Sequence, residues 1–139
     1  MKNKEKFKYI EHTADIQFQA FGSSIEEAFE NSALAMFNAM SEGKVKETMK
    51  KKISVSGKDK EALLYNFLEE LLFLFDSSGF FLSKINTIKI KNNKLTAIVS
   101  GDKADKYEIK LDVKAVTYNN MFVKKNKEGK YTIQVVLDV

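Results

Sequence analysis

Hydrophobic and polar residues follow two different periods along this chain. Residues 16–22 (Ile-Gln-Phe-Gln-Ala-Phe-Gly) alternate one by one, which is typical of a half-buried strand that ends at a turn glycine. Beyond Ser24, apolar residues recur at intervals of three and four, and this spacing predicts an amphipathic helix that ends near Gly43. Ser24 and Glu27 have the spacing of a capping box, so Ser24 is the predicted N-cap.

A second amphipathic helix is predicted between Asp59, which is placed to cap its start, and Gly79, which is placed to end it. Phe73 and Leu74 widen its apolar stripe almost all the way round, so we expect the last turns to be deeply buried. The stripe itself consists of Leu63, Leu64, Phe67, Leu68, Leu71, Leu72 and Phe75.

Shorter alternating segments predict strands in the middle of the chain. Residues 51–57 form one such segment, with Ile53 and Val55 facing inward. The run Met-Lys-Lys-Lys at residues 49–52 is interpreted as a solvated loop that leads into it. Residues 85–101 alternate again and predict a hairpin, because the central Asn-Asn pair tolerates the positive φ angles of a tight turn.

The remainder of the chain continues the two-residue period. Residues 106–125 alternate over a long span, residues 126–129 (Asn-Lys-Glu-Gly) form the next predicted turn, and residues 130–139 form the closing strand. No repeat, linker or low-complexity tract divides the chain. We therefore predict one α+β domain over residues 1–139, with two long helices packed on a mainly antiparallel sheet.

The composition narrows the possible functions. The chain has no cysteine, which excludes disulfides, thiolate catalysis and thiolate metal ligands. Lysine and arginine together number 23, and every one is a lysine. Because arginine supplies the bidentate fork that reads guanine, a sequence-specific nucleic-acid reader is not expected, although weak, salt-sensitive attraction to RNA is permitted. No apolar run approaches transmembrane length, so we predict a cytoplasmic protein with no membrane partner.

Carboxylates stand at the ends of several predicted elements. Asp15 opens the first alternating strand, Glu42 follows the first helix, and Asp138 stands next to last in the closing strand. The terminal carboxylate of Val139 would add further oxygen ligands beside Asp138. Oxygen clusters suit Ca²⁺ or Mg²⁺, with Mn²⁺ a further candidate, so these four residues form a candidate divalent-cation site. The alternative is that they are ordinary solvated ends of strands and helices.

Two other polar residues have two interpretations each. His12, the single histidine of the chain, is either a hydrogen-bonded structural residue or a group that orients a neighbouring carboxylate. Lys114 lies within an apolar alternating segment, where it either points outward or pairs with a buried carboxylate. The sequence leaves both questions open.

Four stretches of the chain resemble the archease family, in the family's own order. Residues 9–42 contain Tyr-Ile-Glu-His-Thr-Ala-Asp and a helix that ends in Met-Ser-Glu, where the family has Tyr-Glu-His-Thr-Ala-Asp and Met-Thr-Asp. Residues 63–80 resemble the family's second helix. Residues 108–121 resemble its Glu-Val-Lys-Ala-Val-Thr-Tyr strand, and residues 135–139 resemble its terminal Val-Val-Phe-Asp-Ile.

The resemblance implies that the chain activates an enzyme rather than being one. Archeases act on RtcB-type RNA ligases, which join tRNA exon halves, use Mn²⁺ and GTP, and are guanylylated on their own histidine before they activate an RNA 3′-phosphate. For this chain the resemblance therefore implies a ligase partner and an indirect association with tRNA. It also implies a role in ligase guanylylation and multiple turnover, with a divalent cation bound by acidic residues.

Carried over by position, the family's acidic residues fall on Asp15, Glu42 and Asp138, with Val139 beside the last of them. Glu42 departs from the family's aspartate, since it keeps the oxygen ligands but adds a methylene. Asn119 and Tyr107 stand where many members have histidine, so no role of those histidines is carried over to this chain.

Two other function classes stay as alternatives. A stand-alone metal-dependent hydrolase or nuclease would turn over phosphoesters with no partner, but the chain lacks an arginine to clamp a phosphoryl group and has no histidine beyond His12. A general chaperone or RNA-binding module would suppress aggregation of unrelated proteins or bind RNA with a steep dependence on salt.

Overall fold

Strands and helices alternate in the first part of the chain, and strands dominate the second. The computed structural model describes residues 5–10 and 15–139. This architecture confirms the predicted α+β class. The helices are α1 (Ile25–Met40) and α2 (Lys60–Ser78), and the strands are β1 (Phe7–Ile10), β2 (Ile16–Gly22), β3 (Met49–Ser56), β4 (Phe80–Lys91), β5 (Lys94–Lys103), β6 (Ala115–Lys125) and β7 (Tyr131–Asp138).

The strands are arranged in two sheets. A four-stranded sheet has the order β1-β2-β7-β6, and a three-stranded sheet has the order β3-β5-β4. Each pair of neighbouring strands is antiparallel, which confirms the predicted antiparallel character, although the strands form two sheets rather than one. β7 is therefore an inner strand of the larger sheet, although it follows all the others in sequence.

The start of α1 is capped as predicted, but its end comes earlier. The Ser24 hydroxyl accepts the backbone N–H of Glu27 at 3.1 Å, and the Glu27 carboxylate in turn accepts the backbone N–H of Ser23 at 2.6 Å. α1 ends at Met40 rather than near Gly43, because the backbone is already extended at the residue after Met40.

The predicted ends of α2 are confirmed, but its predicted burial is wrong at the C-terminal turns. The Asp59 side chain accepts the N–H of Ala62 at 2.8 Å, and Gly79 ends the helix in the left-handed region at a φ of +69°. Phe73 is 60% exposed. It lies about 200° round the helix from the buried Leu71, so the packed face of α2 does not reach it.

The core lies where the helices meet the inner faces of the sheets. The rings of Phe29 and Phe67 lie 6.1 Å apart and join α1 to α2. The rings of Phe37 and Phe81 meet edge to face at 5.1 Å and join α1 to the three-stranded sheet. No helix within residues 5–10 and 15–139 is both long enough and apolar enough to cross a membrane.

Two strand boundaries differ from the sequence predictions. Residues 49–52 are not a loop, because they form the first half of β3 and pair with β5. The alternating span of residues 106–125 becomes a strand only from Ala115 onward. The residues before it bond to other elements instead, as in the 2.8 Å hydrogen bond from the N–H of Lys110 to the carbonyl of Met40.

Both predicted hairpin turns are confirmed. Asn92 and Asn93 have φ angles of +54° and +58°, which a tight two-residue turn between twisted strands requires. Gly129 closes the turn before β7 with a φ of +82°.

Candidate functional site

The register between β2 and β7 brings two of the predicted acidic residues to one end of the larger sheet. Ile16 pairs with Leu137, so continuing the register by one residue places Asp15 beside Asp138. Asp15 is half-buried and Asp138 is exposed. Residues opposite each other in an antiparallel pair have Cα atoms about 4.5–5.5 Å apart, which is close enough for two carboxylates to share a cation.

α1 returns the chain to the same end of the sheet. β2 has 7 residues and spans about 23 Å, while α1 has 16 residues and spans about 24 Å. Gly22 joins them at a point where the backbone of β2 lies very close to the start of α1. A Cβ at Gly22 would lie only 2.8–2.9 Å from atoms of Glu27, so the close approach requires glycine. Because the two lengths match, an α1 that packs antiparallel to β2 would end near the level of Ile16. Glu42 follows α1 as an exposed residue.

Hydrogen bonds from other elements hold the chain on both sides of Glu42. Before it, the carbonyl of Met40 accepts the N–H of Lys110 at 2.8 Å. After it, the carbonyl of Val45 accepts the hydroxyl of Ser83 at 2.6 Å. The backbone that carries Glu42 is therefore fixed to β4 and to the segment before β6, while the carboxylate itself faces solvent.

A buried carboxylate also anchors this segment. Asp102 is 0% exposed and accepts hydrogen bonds from the hydroxyl of Thr48 at 2.5 Å, the hydroxyl of Tyr107 at 2.6 Å and the N–H of Lys103 at 2.8 Å. The bonds from Thr48 and Tyr107 hold the pKa of Asp102 well below its usual range. Asp102 in turn raises the pKa of Tyr107, whose oxygen accepts the N–H of Lys46 at 2.9 Å.

Replacing Asp102 by asparagine is expected to lower the free energy of unfolding at neutral pH, and to lower it by a smaller amount at acidic pH. A lowered folded-state pKa means that the stabilisation is fully present above the ordinary value of 3.8 and is lost as the pH falls below it. The difference between the denaturation midpoints of wild type and variant, measured from about pH 7 to about pH 2, should therefore stay constant above pH 3.8 and shrink progressively below it. Asp105→Asn, in an exposed neighbour, is the control. A difference between wild type and Asp102→Asn that does not change with pH would contradict the assignment.

Tyr9 connects the Glu42 segment to β1. Its hydroxyl donates to the carbonyl of Ala35 at 2.9 Å and accepts from the side chain of Asn38 at 3.0 Å. Burial raises the pKa of Tyr9, the bond from Asn38 lowers it, and the negative charge of Glu42 raises it further. The charge of Glu42 therefore acts on Tyr9 in β1, the strand that pairs with β2.

The structure also decides between the two interpretations of Lys114. Its side chain is exposed, which is the outward orientation, and its backbone N–H donates to the carbonyl of Asp138 at 2.8 Å. Asp138 is therefore fixed through its backbone to β6, where it pairs with Ala115. Its side chain is left exposed for a ligand.

Carboxylate oxygens are the ligands that hard divalent cations prefer, and the register between β2 and β7 ends at Ile16 and Leu137, the neighbours of Asp15 and Asp138. Val139 is half-buried and packs against the core beside Asp138. Among the residues that the structure describes, no three side chains of histidine, cysteine, aspartate or glutamate are grouped closely enough to hold a metal ion. His12 lies outside the described residues. The cation site at Asp15, Glu42, Asp138 and Val139 therefore stays a prediction.

Three comparisons identify the relatives of this chain. Residues 7–139 match the model of the Archease protein family. "Protein archease" of Pyrococcus abyssi is 41% identical and is covered over 99% of its length and 97% of this chain, and that of Methanosarcina acetivorans is 36% identical with 97% of each covered. The solution structure of Methanobacterium thermoautotrophicum protein 1598 superposes with a TM-score of 0.82 at 34% identity, covering 96% of this chain and 99% of that one. The chain therefore belongs to the archease family.

Proposed function

We propose that this chain is a non-catalytic activator of an RtcB-type RNA ligase, and that it promotes guanylylation and multiple turnover of the ligase in tRNA splicing or RNA repair. The proposal rests on membership of the archease family over residues 7–139. The structural observation that supports it most is the pairing of Ile16 with Leu137, the neighbours of Asp15 and Asp138, at one end of β2 and β7.

The acidic strand ends would act as a cation-dependent contact with the ligase. Neighbouring carboxylates repel one another unless a cation neutralises them, so Asp15, Glu42 and Asp138 together favour Ca²⁺, Mg²⁺ or Mn²⁺. Such an ion supplies fixed positive charge and open coordination positions for groups of a partner. The chain's own contribution is positional, because the backbone on both sides of Glu42 and the backbone of Asp138 are held by hydrogen bonds from other elements.

Composition supports a partner protein rather than a stand-alone phosphoesterase. An enzyme that transfers a phosphoryl group needs positively charged side chains already positioned around that group, and arginine serves this purpose best. This chain contains no arginine. In the proposed complex the ligase carries the chemistry with its own histidine, Mn²⁺ and GTP. We place the complex in the cytoplasm, where tRNA would meet this chain through the ligase.

The proposal is tested by RNA ligation with the RtcB-type ligase of the same organism and RNA in large excess. Adding the wild-type chain is expected to convert a ligase that stalls after about one turnover into one that turns over repeatedly, and to increase the guanylylated fraction of the ligase. Incubating the chain alone with RNA and divalent cations is the control for intrinsic activity. Unchanged turnover in Ca²⁺, Mg²⁺ and Mn²⁺ would overturn the proposal, and phosphoester cleavage by the chain alone would favour the hydrolase alternative.

A further inference from the structure

The outer face of the three-stranded sheet is lined with lysines. Alternate residues of β3, β5 and β4 point away from the core, and cross-strand pairing arranges them in rows. We call this surface the basic sheet face. Its rows are Lys52–Ile98–Thr87, Ser54–Thr96–Lys89 and Ser56–Lys94–Lys91. Beyond them, Lys50 and Lys84 are exposed on either side of the buried Ser100, whose hydroxyl donates to Asn86 at 2.6 Å.

Negative charge is almost absent from this face. β3, β4 and β5 contain a single carboxylate, Asp102, and it is fully buried. The carboxylate of Glu47 lies 3.4 Å from the ammonium group of Lys84, at one edge of the face. At the other end Lys91 and Lys94 are directly opposite each other, an arrangement of like charges that destabilises a sheet. The positive charge in the middle of the face therefore stays available to an anionic partner.

The chemistry of the face favours a sugar–phosphate backbone over an acidic protein. Lysine, serine and threonine are typical phosphate-contacting residues, and they make up most of the exposed positions. Protein interfaces are instead depleted of lysine and serine and are built around a desolvated apolar centre with aromatic or arginine anchors. On this face the large exposed apolar side chain is Ile98, at 40% exposure, and no aromatic residue accompanies it.

We propose that the basic sheet face binds the phosphate backbone of RNA without sequence specificity. Lysine is a point charge and lacks the bidentate geometry that reads a base, so the contact selects charge rather than sequence. The choice of RNA over DNA rests on the proposed function. The contact is distinct from the acidic strand ends, since its residues lie in β3, β4 and β5, whereas Asp15 and Asp138 lie at the ends of β2 and β7.

The test uses two triple variants with equal loss of charge. In the face variant Lys52, Lys89 and Lys94 are each changed to glutamine, and in the control variant Lys8, Lys127 and Lys130 are changed to glutamine. All six lysines are exposed, so both variants should fold, and circular dichroism checks this. Binding of the full chain to a fluorescent, mixed-sequence single-stranded RNA is then measured by anisotropy, without ligase, from about 50 to about 200 mM salt.

The face variant is expected to bind RNA at least about a hundredfold more weakly at about 50 mM salt, and the difference should shrink as salt rises. The slope of log binding constant against log salt concentration should also be shallower by about 2. Each lost phosphate contact to a single strand removes about 0.7 from that slope, and the variant loses three lysines. The control variant should bind within about twofold of wild type. Equal losses in both variants would overturn the proposal, because net charge alone would then explain binding. Undetectable binding by wild type at low salt would also overturn it, as would tighter binding to polyglutamate or to anionic vesicles than to RNA.

The experiments distinguish an error in the proposed RNA contact from an error in the proposed activator function. RNA binding is measured with no ligase present, and ligase activation is measured separately with saturating RNA. If the chain activates the ligase but the face variant binds RNA like wild type, only the RNA contact is overturned. If the face variant loses RNA binding but the wild-type chain has no effect on the ligase, the RNA contact stands and the activator function fails.

Discussion

Replacing Asp138 by alanine is expected to reduce multiple-turnover ligation by at least about tenfold, the loss typical when a group supporting a metal site is removed. Asp138 is exposed and its backbone bond with Lys114 does not involve the side chain, so folding should change by less than about 0.5 kcal/mol. Calorimetric titration with Ca²⁺ and Mg²⁺ should show the same loss of affinity, because Asp138 would supply oxygen ligands to the ion.

Two further variants make this result specific. Asp15→Ala should reproduce it, since Asp15 and Asp138 adjoin the paired residues Ile16 and Leu137. Glu128→Ala removes an equal charge from the exposed turn before β7 and should leave both metal affinity and ligation unchanged. Wild-type metal affinity in Asp138→Ala would show that this carboxylate is a solvated strand end.

Replacing Gly101 by alanine is expected to destabilise the fold by about 3 kcal/mol or more, because the site offers no room for a methyl group. A Cβ at Gly101 would collide with the backbone carbonyl of Phe81 and lie 2.8 Å from two ring carbons of Phe80. Both residues are fully or almost fully buried, so neither can move aside without opening the core between β4 and β5. Chemical denaturation followed by circular dichroism measures the effect.

Gly79→Ala is the matched control for this substitution. Gly79 has a positive φ, but no atom lies within 4 Å of the position that a methyl group would take, so only backbone strain of about 1–2 kcal/mol is expected. If Gly101→Ala lowered the free energy of unfolding no more than Gly79→Ala does, the steric argument would be wrong. Phe80 and Phe81 would then have moved away from the new methyl group at no cost in stability.

Local sequence signals predicted most of the fold because they depend on neighbouring residues. Capping at Ser24 and Asp59, the stop at Gly79 and the turn at Asn92 are each decided within a few positions, and each is confirmed. The errors arise where distant contacts decide the outcome. The exposure of Phe73 depends on which face of α2 meets the sheets, and a widened apolar stripe does not reveal that.

Sequence reasoning reached the acidic residues but missed the polar network behind them. Asp15 and Asp138 stand at recognisable strand ends, and the structure pairs their neighbours Ile16 and Leu137. Asp102 follows the predicted hairpin, and nothing local indicates that Thr48 and Tyr107, from other parts of the chain, would enclose it. The basic sheet face did have a signal, the two-residue spacing of Lys50 and Lys52, but interpreting that run as a loop concealed it.

The inner position of β7 bears on how the protein is made. β2 must pair with a strand more than a hundred residues away, as Phe18 does with Val135, and pairing over such separations makes folding slow. On the ribosome, β1 and β2 emerge long before β7, so the larger sheet cannot close until β7 has left the exit tunnel. Until then the edges of β2 and β6 are open to pairing with other nascent chains. We therefore expect the larger sheet to form only after β7 has been synthesised, and to benefit from chaperones that shield strand edges.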